Sequence, residues 1–246
     1  MGERNQMQVK QQETRSSLGR NLTYGLLDRL GSQIIGGVYA EKPFPTEAEL
    51  SVQNGVSRSV TREAVKMLTA KGLVSARPRQ GTVIQPSSEW NLFDTDVLRW
   101  MLEKRFSIDL LKQFSQLRVA IEPAAAALAA READEAGLGS IAAGFARMQA
   151  AEEGRDDVLE ADVAFHVAIL SASGNPFFGQ FRDVVSTALK TSIRYTNRIV
   201  GRSADLESHE RVKNAILSRD PEAAHDAMKL IIVDALDAIE HNEGES

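Results

Sequence analysis

The 246-residue chain has no cysteine. That removes disulfides, thiolate metal sites and cysteine nucleophiles together, and it suits a reducing cytoplasm. Nor is there an apolar run near the ~18 residues that a membrane span needs, and the polar start from Met1 to Ser17 lacks the hydrophobic stretch of a signal peptide. The expectation is a cytoplasmic chain with no membrane partner. Proline is scarce beyond residue 94, where Pro176 and Pro221 stand at helix starts and only Pro123 falls inside a helical stretch. Positive charge is short overall, 29 Lys+Arg against 34 Asp+Glu for a formal net charge of −5, which argues weakly against nucleic acid.

The distribution of charge reverses that impression. Residues 1–90 carry 12 Lys+Arg and 8 Asp+Glu, whereas residues 91–246 carry 17 and 26. A basic first third on an acidic remainder points to two surfaces with different partners. The length allows two domains, and 43% hydrophobic residues are enough to bury a core in each.

Residues 1–17 are polar and Gln-rich and read as a flexible tail. Leu22, Leu26, Leu30 and Ile34 then recur at spacing four, predicting a helix that stops at Gly36-Gly37. Thr46-Glu-Ala-Glu49 has the form of a capping box, so a second, short helix starts there and ends at Asn54-Gly55. Ser57 is a good N-cap for a third helix with an apolar face of Val60, Ala64, Val65 and Leu68. Leu73-Val-Ser-Ala and Thr82-Val-Ile-Gln flank the turn Arg77-Pro-Arg-Gln-Gly81 and predict a hairpin. Helix, short helix, turn, helix and hairpin is the plan of a winged helix, over residues 18–86, whose third helix enters the major groove. Residues 87–93 read as a linker. Helices near 94–104, 107–133, 137–152, 155–173, 176–199, 205–219 and 221–240 then fill an all-α domain over 94–241. The fold class is mainly α: an N-terminal winged helix-turn-helix followed by an antiparallel helical bundle.

Two groups of residues carry candidate chemistry. On the third helix, Arg58, Ser59, Thr61, Arg62 and Lys66 read as lying away from the apolar face. Arginine there suits two acceptors on a guanine edge, and hydroxyls and lysine suit phosphates. Arg77 and Arg79 on the hairpin tip suit the backbone or a minor groove. The alternative is a solvated basic helix. In the second domain, Asp162 and His166 share a helix face with Val158, Phe165 and Ile169, and His209 shares one with Leu206, Val212 and Ile216. These polar groups point inward, either as a structural Asp–His pair with an unrelated histidine or as ligands converging on a metal or an anion. Arg118, beside Phe114, Leu117 and Ile121, either grips a carboxylate in the same cavity or pairs with Glu122 at i+4, and Arg194 is a second candidate of that kind.

Pro45-Thr-Glu-Ala-Glu-Leu50, Gly55-Val-Ser-Arg-Ser-Val-Thr-Arg-Glu-Ala-Val65, Leu68 to Leu73 and Gly81-Thr82-Val83 together resemble the GntR-type winged-helix signature over residues 20–85. The resemblance implies operator contacts by Arg58, Thr61 and Arg62, with Thr46, Glu47, Ser57, Ser59 and Lys66 close by and Gly81 near the minor groove. It also implies a homodimer on double-stranded palindromic operator DNA. Leu117-Arg-Val-Ala-Ile-Glu122, Ala161-Asp-Val-Ala-Phe-His166, Ser173-Gly-Asn175 and Glu207-Ser-His209 resemble the all-α FCD effector domain of the FadR subfamily. That likeness implies a divalent metal held by one Asp and three His, completed by a small carboxylate. Asp162, His166 and His209 match three ligands. The fourth is expected three residues after Met228, where this chain has Ile231. Three ligands still suit Zn, Ni or Mn, with open positions for effector or water. Residues Glu89 to Trp100 are similar to the linker of the galactonate operon repressor group, which implies a sugar-acid effector such as an aldonate. Ser171, Ser173, Asn175 and Thr191 are candidate partners for its hydroxyls.

The function so implied is a ligand-responsive transcription regulator, a repressor released by a sugar acid. The competing readings are a metal-dependent enzyme using Asp162, His166 and His209, and a DNA-binding scaffold with a vestigial pocket.

Overall fold

The computed structural model describes residues 21–199 and 205–241, with side chains described to Lys190 and again from Asp205 to Glu240. The expected tail over 1–17 and the side chains of Thr191 and Arg194 lie outside the described residues. Among the described residues no helix is long and apolar enough to cross a membrane.

The chain divides into two compact units, Met1–Arg105 and Phe106–Ser246. The first contains α1 (21–35), α2 (Glu47–Asn54), α3 (Arg58–Ala70), β1 (Val74–Arg77), β2 (Gly81–Ile84), a single 3-10 turn at Ser87–Glu89 and α4 (Thr95–Lys104). Local chemistry sets these limits. The Thr46 hydroxyl accepts from the Glu49 amide while the Glu49 carboxylate accepts from the Thr46 amide, completing the capping box of α2. Gly55, at φ 62, ends that helix in the left-handed conformation that costs glycine little. Ser57 caps α3 through the Val60 amide. β1 and β2 pair antiparallel, Val74 opposite Ile84 and Arg77 opposite Gly81.

The core of this unit joins Leu26, Leu27, Leu30, Ile34 and Ile35 of α1 to Leu50, Ala64, Leu68, Leu73, Trp90, Val97 and Trp100. Leu22, expected on the inner stripe of α1, is 48% exposed. The inner face runs through Thr23, Leu26, Leu27 and Leu30 instead, at 3.6-residue spacing.

The larger correction concerns the boundary. The sequence places it at 87–93, with the second domain starting at 94, but the structure keeps α4 in the first unit. Trp100 is fully buried against α1, and its indole N–H donates to Asp28 at 2.8 Å. Gly31 makes room for it, since a Cβ there would stand 2.3 Å from the Trp100 ring. Arg99 also reaches Asp28, at 2.6 Å. Lys71, just past α3, is enclosed by Asp94 at 2.7 Å and Asp96 at 2.8 Å. Burial disfavours the charged Lys71, but those carboxylates override it and its pKa is raised. The two tryptophans are thus core residues of the first unit, with Trp90 donating to the Gln85 carbonyl at 3.0 Å.

The second unit is a bundle of α5 (Ile108–Glu132), α6 (Glu135–Glu152), α7 (Val158–Ala172), α8 (Pro176–Ile199), α9 (Leu206–Leu217) and α10 (Pro221–His241). These lie within a few residues of the helices expected from periodicity. α10 packs along α5 and α9, while α7 packs on α5, α6 and α8. Arg219, in the turn before α10, donates to the Ala130 and Ala133 carbonyls at the end of α5. Those are groups that a helix terminus leaves without partners of its own.

Candidate functional site

In the first unit, Arg58, Ser59, Arg62 and Lys66 are exposed on one side of α3. The spacing 58, 62, 66 keeps them in a line one turn apart. Arg62 stands 3.5 Å from Glu47 of α2, and Lys66 stands 3.9 Å from Glu63. Ser57 and Ser59 share a hydroxyl contact at 2.9 Å. Arg77, Arg79 and Gly81 are exposed on the hairpin, with Arg79 at φ 65 and open space around Gly81.

Thr61 is not part of this surface. It is 0% exposed, and its hydroxyl bonds back to the Ser57 carbonyl at 3.3 Å. The inner face of α3 runs 61, 64, 65, 68, the i, i+3, i+4, i+7 series, so Thr61 takes the place that the sequence reading gave to the half-buried Val60.

In the second unit three helices bring polar groups to one buried point. On α7, Asp162, Phe165, His166 and Ile169 form the inner face. On α9, His209, Val212 and Ile216 do the same. On α5, the spacing Leu111, Phe114, Ser115, Arg118, Glu122 turns a cation and a carboxylate inward together. Asp162, His166 and His209 each offer one ligand atom, and these atoms lie within 4.8 Å of one another. Asp162 Oδ1 is 3.1 Å from His209 Nε2 and 3.4 Å from His166 Nε2.

Each histidine is held from behind. His166 Nδ1 meets Glu122 Oε2 at 2.5 Å, and His209 Nδ1 donates to the Asp205 carbonyl at 2.7 Å. Both Nε2 atoms therefore face Asp162. Asp162 Oδ1 and His209 Nε2 are buried and form no hydrogen bond among the described residues, although they stand 3.1 Å apart. A buried polar atom left so costs about 1–3 kcal/mol. One carboxylate oxygen and two imidazole nitrogens around a common point are donors for Zn, Ni or Mn.

Glu122 is the residue that the sequence reading left out of the site. Arg118 Nε donates to its Oε1 at 2.5 Å, so the i+4 pair exists, but the carboxylate also reaches His166, 44 positions away. Burial alone would raise its pKa, yet Arg118 and then His166 bring it down to about 2. Burial would lower that of His166, and the charges of Glu122 and Asp162 raise it to about 9. Against the same burial, His166 and His209 hold Asp162 well below the usual carboxylate range.

Among the described residues, three of the polar side chains expected around an effector's hydroxyls already hold local bonds. Asn175 Oδ1 accepts from the Phe177 amide at 2.9 Å and caps α8. Ser171 and Ser173 donate to carbonyls of their own helix, those of Val167 and Leu170.

Comparison with known proteins agrees with both units. Residues 23–84 match the gntR family of bacterial regulatory proteins, and residues 113–234 match the FCD domain. The HTH-type transcriptional regulator YieP of Escherichia coli K12 is 34% identical over 216 residues, 87% of this chain and 93% of that protein. The galactonate operon transcriptional repressor of the same strain is 33% identical over 217 residues, 86% of this chain and 94% of that one. The solved structure of E. coli McbR/YncC shares the fold, with a TM-score of 0.50 at 19% identity over 90% of this chain and 98% of that one. The chain belongs to the gntR family of bacterial regulatory proteins, with an FCD domain in its second unit, and is a ligand-responsive DNA-binding transcription regulator rather than an enzyme.

Proposed function

We propose that this regulator is a cytoplasmic homodimeric repressor of a sugar-acid catabolic operon, released from its operator when an aldonate-type carboxylate binds in the second unit beside a divalent metal. The observation that carries the effector site is the pair of buried atoms without hydrogen bonds, Asp162 Oδ1 and His209 Nε2. They face each other next to a third ligand whose outer nitrogen is already tied. Asp162, His166 and His209 would hold the ion, with Ile231 standing where a fourth ligand is expected. Bound there, the ion supplies positive charge and open positions for a carboxylate. Arg118 adds a fixed cation beside it, since Glu122 engages Nε and Nη2 and leaves Nη1 outside that pair. The resemblance to the galactonate operon repressor supports the choice of a sugar acid.

On the DNA side, Arg58 and Arg62 read base edges, while Ser57, Ser59, Lys66 and Thr46 contact the backbone. Arg77, Arg79 and Gly81 follow the adjacent groove, and Glu47 steadies Arg62. Thr61 supports this surface from beneath. Release requires that the effector bind the DNA-incompetent arrangement more tightly, because equal affinity for both shifts nothing.

The test is fluorescence anisotropy of the full chain on its own upstream DNA, with D-galactonate and other aldonates and uronates added. Binding that weakens steeply with salt and is reversed by one sugar acid is the expected result. Binding indifferent to every compound would leave a DNA-binding scaffold with a vestigial pocket. In the same assay Arg58→Ala is expected to cost about 1–3 kcal/mol of operator affinity and to relax base preference at one position. Unchanged affinity would remove Arg58 from base readout.

A further inference from the structure

We propose that Glu122 is the positioning residue of this site, a single buried carboxylate that fixes His166 through Nδ1 and Arg118 through its guanidinium, so that one group sets both the metal ligand and the effector-binding cation. The inference rests on the metal-and-effector reading given above.

Glu122 is 1% exposed and Arg118 is 5% exposed. A carboxylate taken out of water this far is stable only when its lone pairs are filled, and a single partner seldom fills them. Here both oxygens are used: Oε1 accepts from Arg118 Nε, and Oε2 meets both Arg118 Nη2 at 3.4 Å and His166 Nδ1 at 2.5 Å. An arginine pair made only for stability has no need of the imidazole. The bond to Nδ1 fixes the tautomer that His166 offers an ion: when the second proton leaves, the one on Nδ1 stays with Glu122, and the freed Nε2 lone pair is the one turned toward Asp162 and His209. His209 is fixed differently, by the backbone carbonyl of Asp205, which no side chain can retune. Of the two histidines, only His166 is therefore held by a group that another ligand can influence. A carboxylate that engages Arg118 pulls on the guanidinium that Glu122 holds, and through Glu122 it reaches His166. Effector and metal are coupled at this residue, each tightening the other's grip by the same factor.

The experiment uses the full-length chain and needs no effector. Zn²⁺ affinity is measured by competition with a chromophoric chelator, and the visible absorption of bound Co²⁺ is recorded, for the wild type, Glu122→Gln and Glu122→Asp. Circular dichroism and melting of the metal-free forms run alongside. Glu122→Gln is expected to weaken Zn²⁺ binding by about 10–100-fold and to shift the Co²⁺ bands. Glu122→Asp keeps the charge beside Arg118 but withdraws it by one methylene, and is expected to fall between the two. A folded Glu122→Gln with wild-type affinity and an unchanged Co²⁺ spectrum overturns the proposal and leaves the metal site standing. If Glu122→Gln fails to fold, the folded Glu122→Asp decides, and wild-type behaviour in it is equally fatal. A wild-type chain that takes up neither Zn²⁺ nor Co²⁺ removes the metal site, and this role of Glu122 goes with it.

Discussion

Replacing Trp100 with alanine is expected to remove about 3–5 kcal/mol of stability from the first unit, the usual cost of emptying a fully buried tryptophan site. The position allows little relaxation. The ring lies over Gly31, which has no side chain to fill the space, and its N–H is bound to Asp28 at 2.8 Å. Losing the ring also releases α4, which brings the Asp94 and Asp96 carboxylates to the buried Lys71. Amide hydrogen exchange across the whole chain is the measurement. Protection is expected to fall throughout residues 21–105, including α1 and α3, with little change in 106–241. Loss confined to α4 itself would mean that the helix is an appendage rather than part of that core.

The second large effect is a pH window in the second unit once metal has been stripped by a chelator. Glu122 is lowered from 4.5 to about 2, so its contribution to stability is complete above pH 4.5 and is lost as pH falls through 2. His166 is raised from 6.5 to about 9, so its contribution is complete below pH 6.5 and is lost as pH rises through 9. The metal-free unit should therefore melt highest between about pH 4.5 and 6.5 and lose on the order of 3 kcal/mol on the alkaline side. A bound ion needs His166 without its second proton, so the sign reverses for the loaded chain. Added Zn²⁺ should raise the melting temperature most at pH 9, and titration at pH 7 in two buffers of different ionisation heat should show a proton leaving per ion bound. Equal melting of the stripped chain at pH 6 and pH 9 would mean that His166 is not charged in the folded state.

Much of this architecture was legible because it is local. The capping box at Thr46, the N-cap at Ser57 and the Gly55 stop act over four residues or fewer, and each stands where spacing placed it. The inward turn of Asp162, His166 and His209 followed from helical periodicity as well. What escaped were contacts between distant positions. Trp100 finds Asp28 across 72 positions, and nothing in the composition change after Pro86 tells which unit α4 packs on. Glu122 was visible as the i+4 partner of Arg118, but its reach to His166 depends on how α5 lies against α7. Two local signals were outweighed. Asn175 stands directly before Pro176 at a helix start, the position of a cap, and its oxygen is spent there. Thr61 completes an i, i+3, i+4, i+7 series with Ala64, Val65 and Leu68, and its polar side chain hid that register.

The placement of the tryptophans makes the chain its own reporter. The sequence has only two, Trp90 and Trp100, and both are buried in the first unit, while the Asp162–His166–His209 cluster belongs to the second. Light absorbed at 295 nm therefore excites the DNA-binding unit alone. A change in that emission when a sugar acid or a metal ion is added records a rearrangement around α1 and α4, in unlabelled protein and on the timescale of a stopped-flow trace. Its rate, set beside the rate of operator release, would tell which of the two comes first.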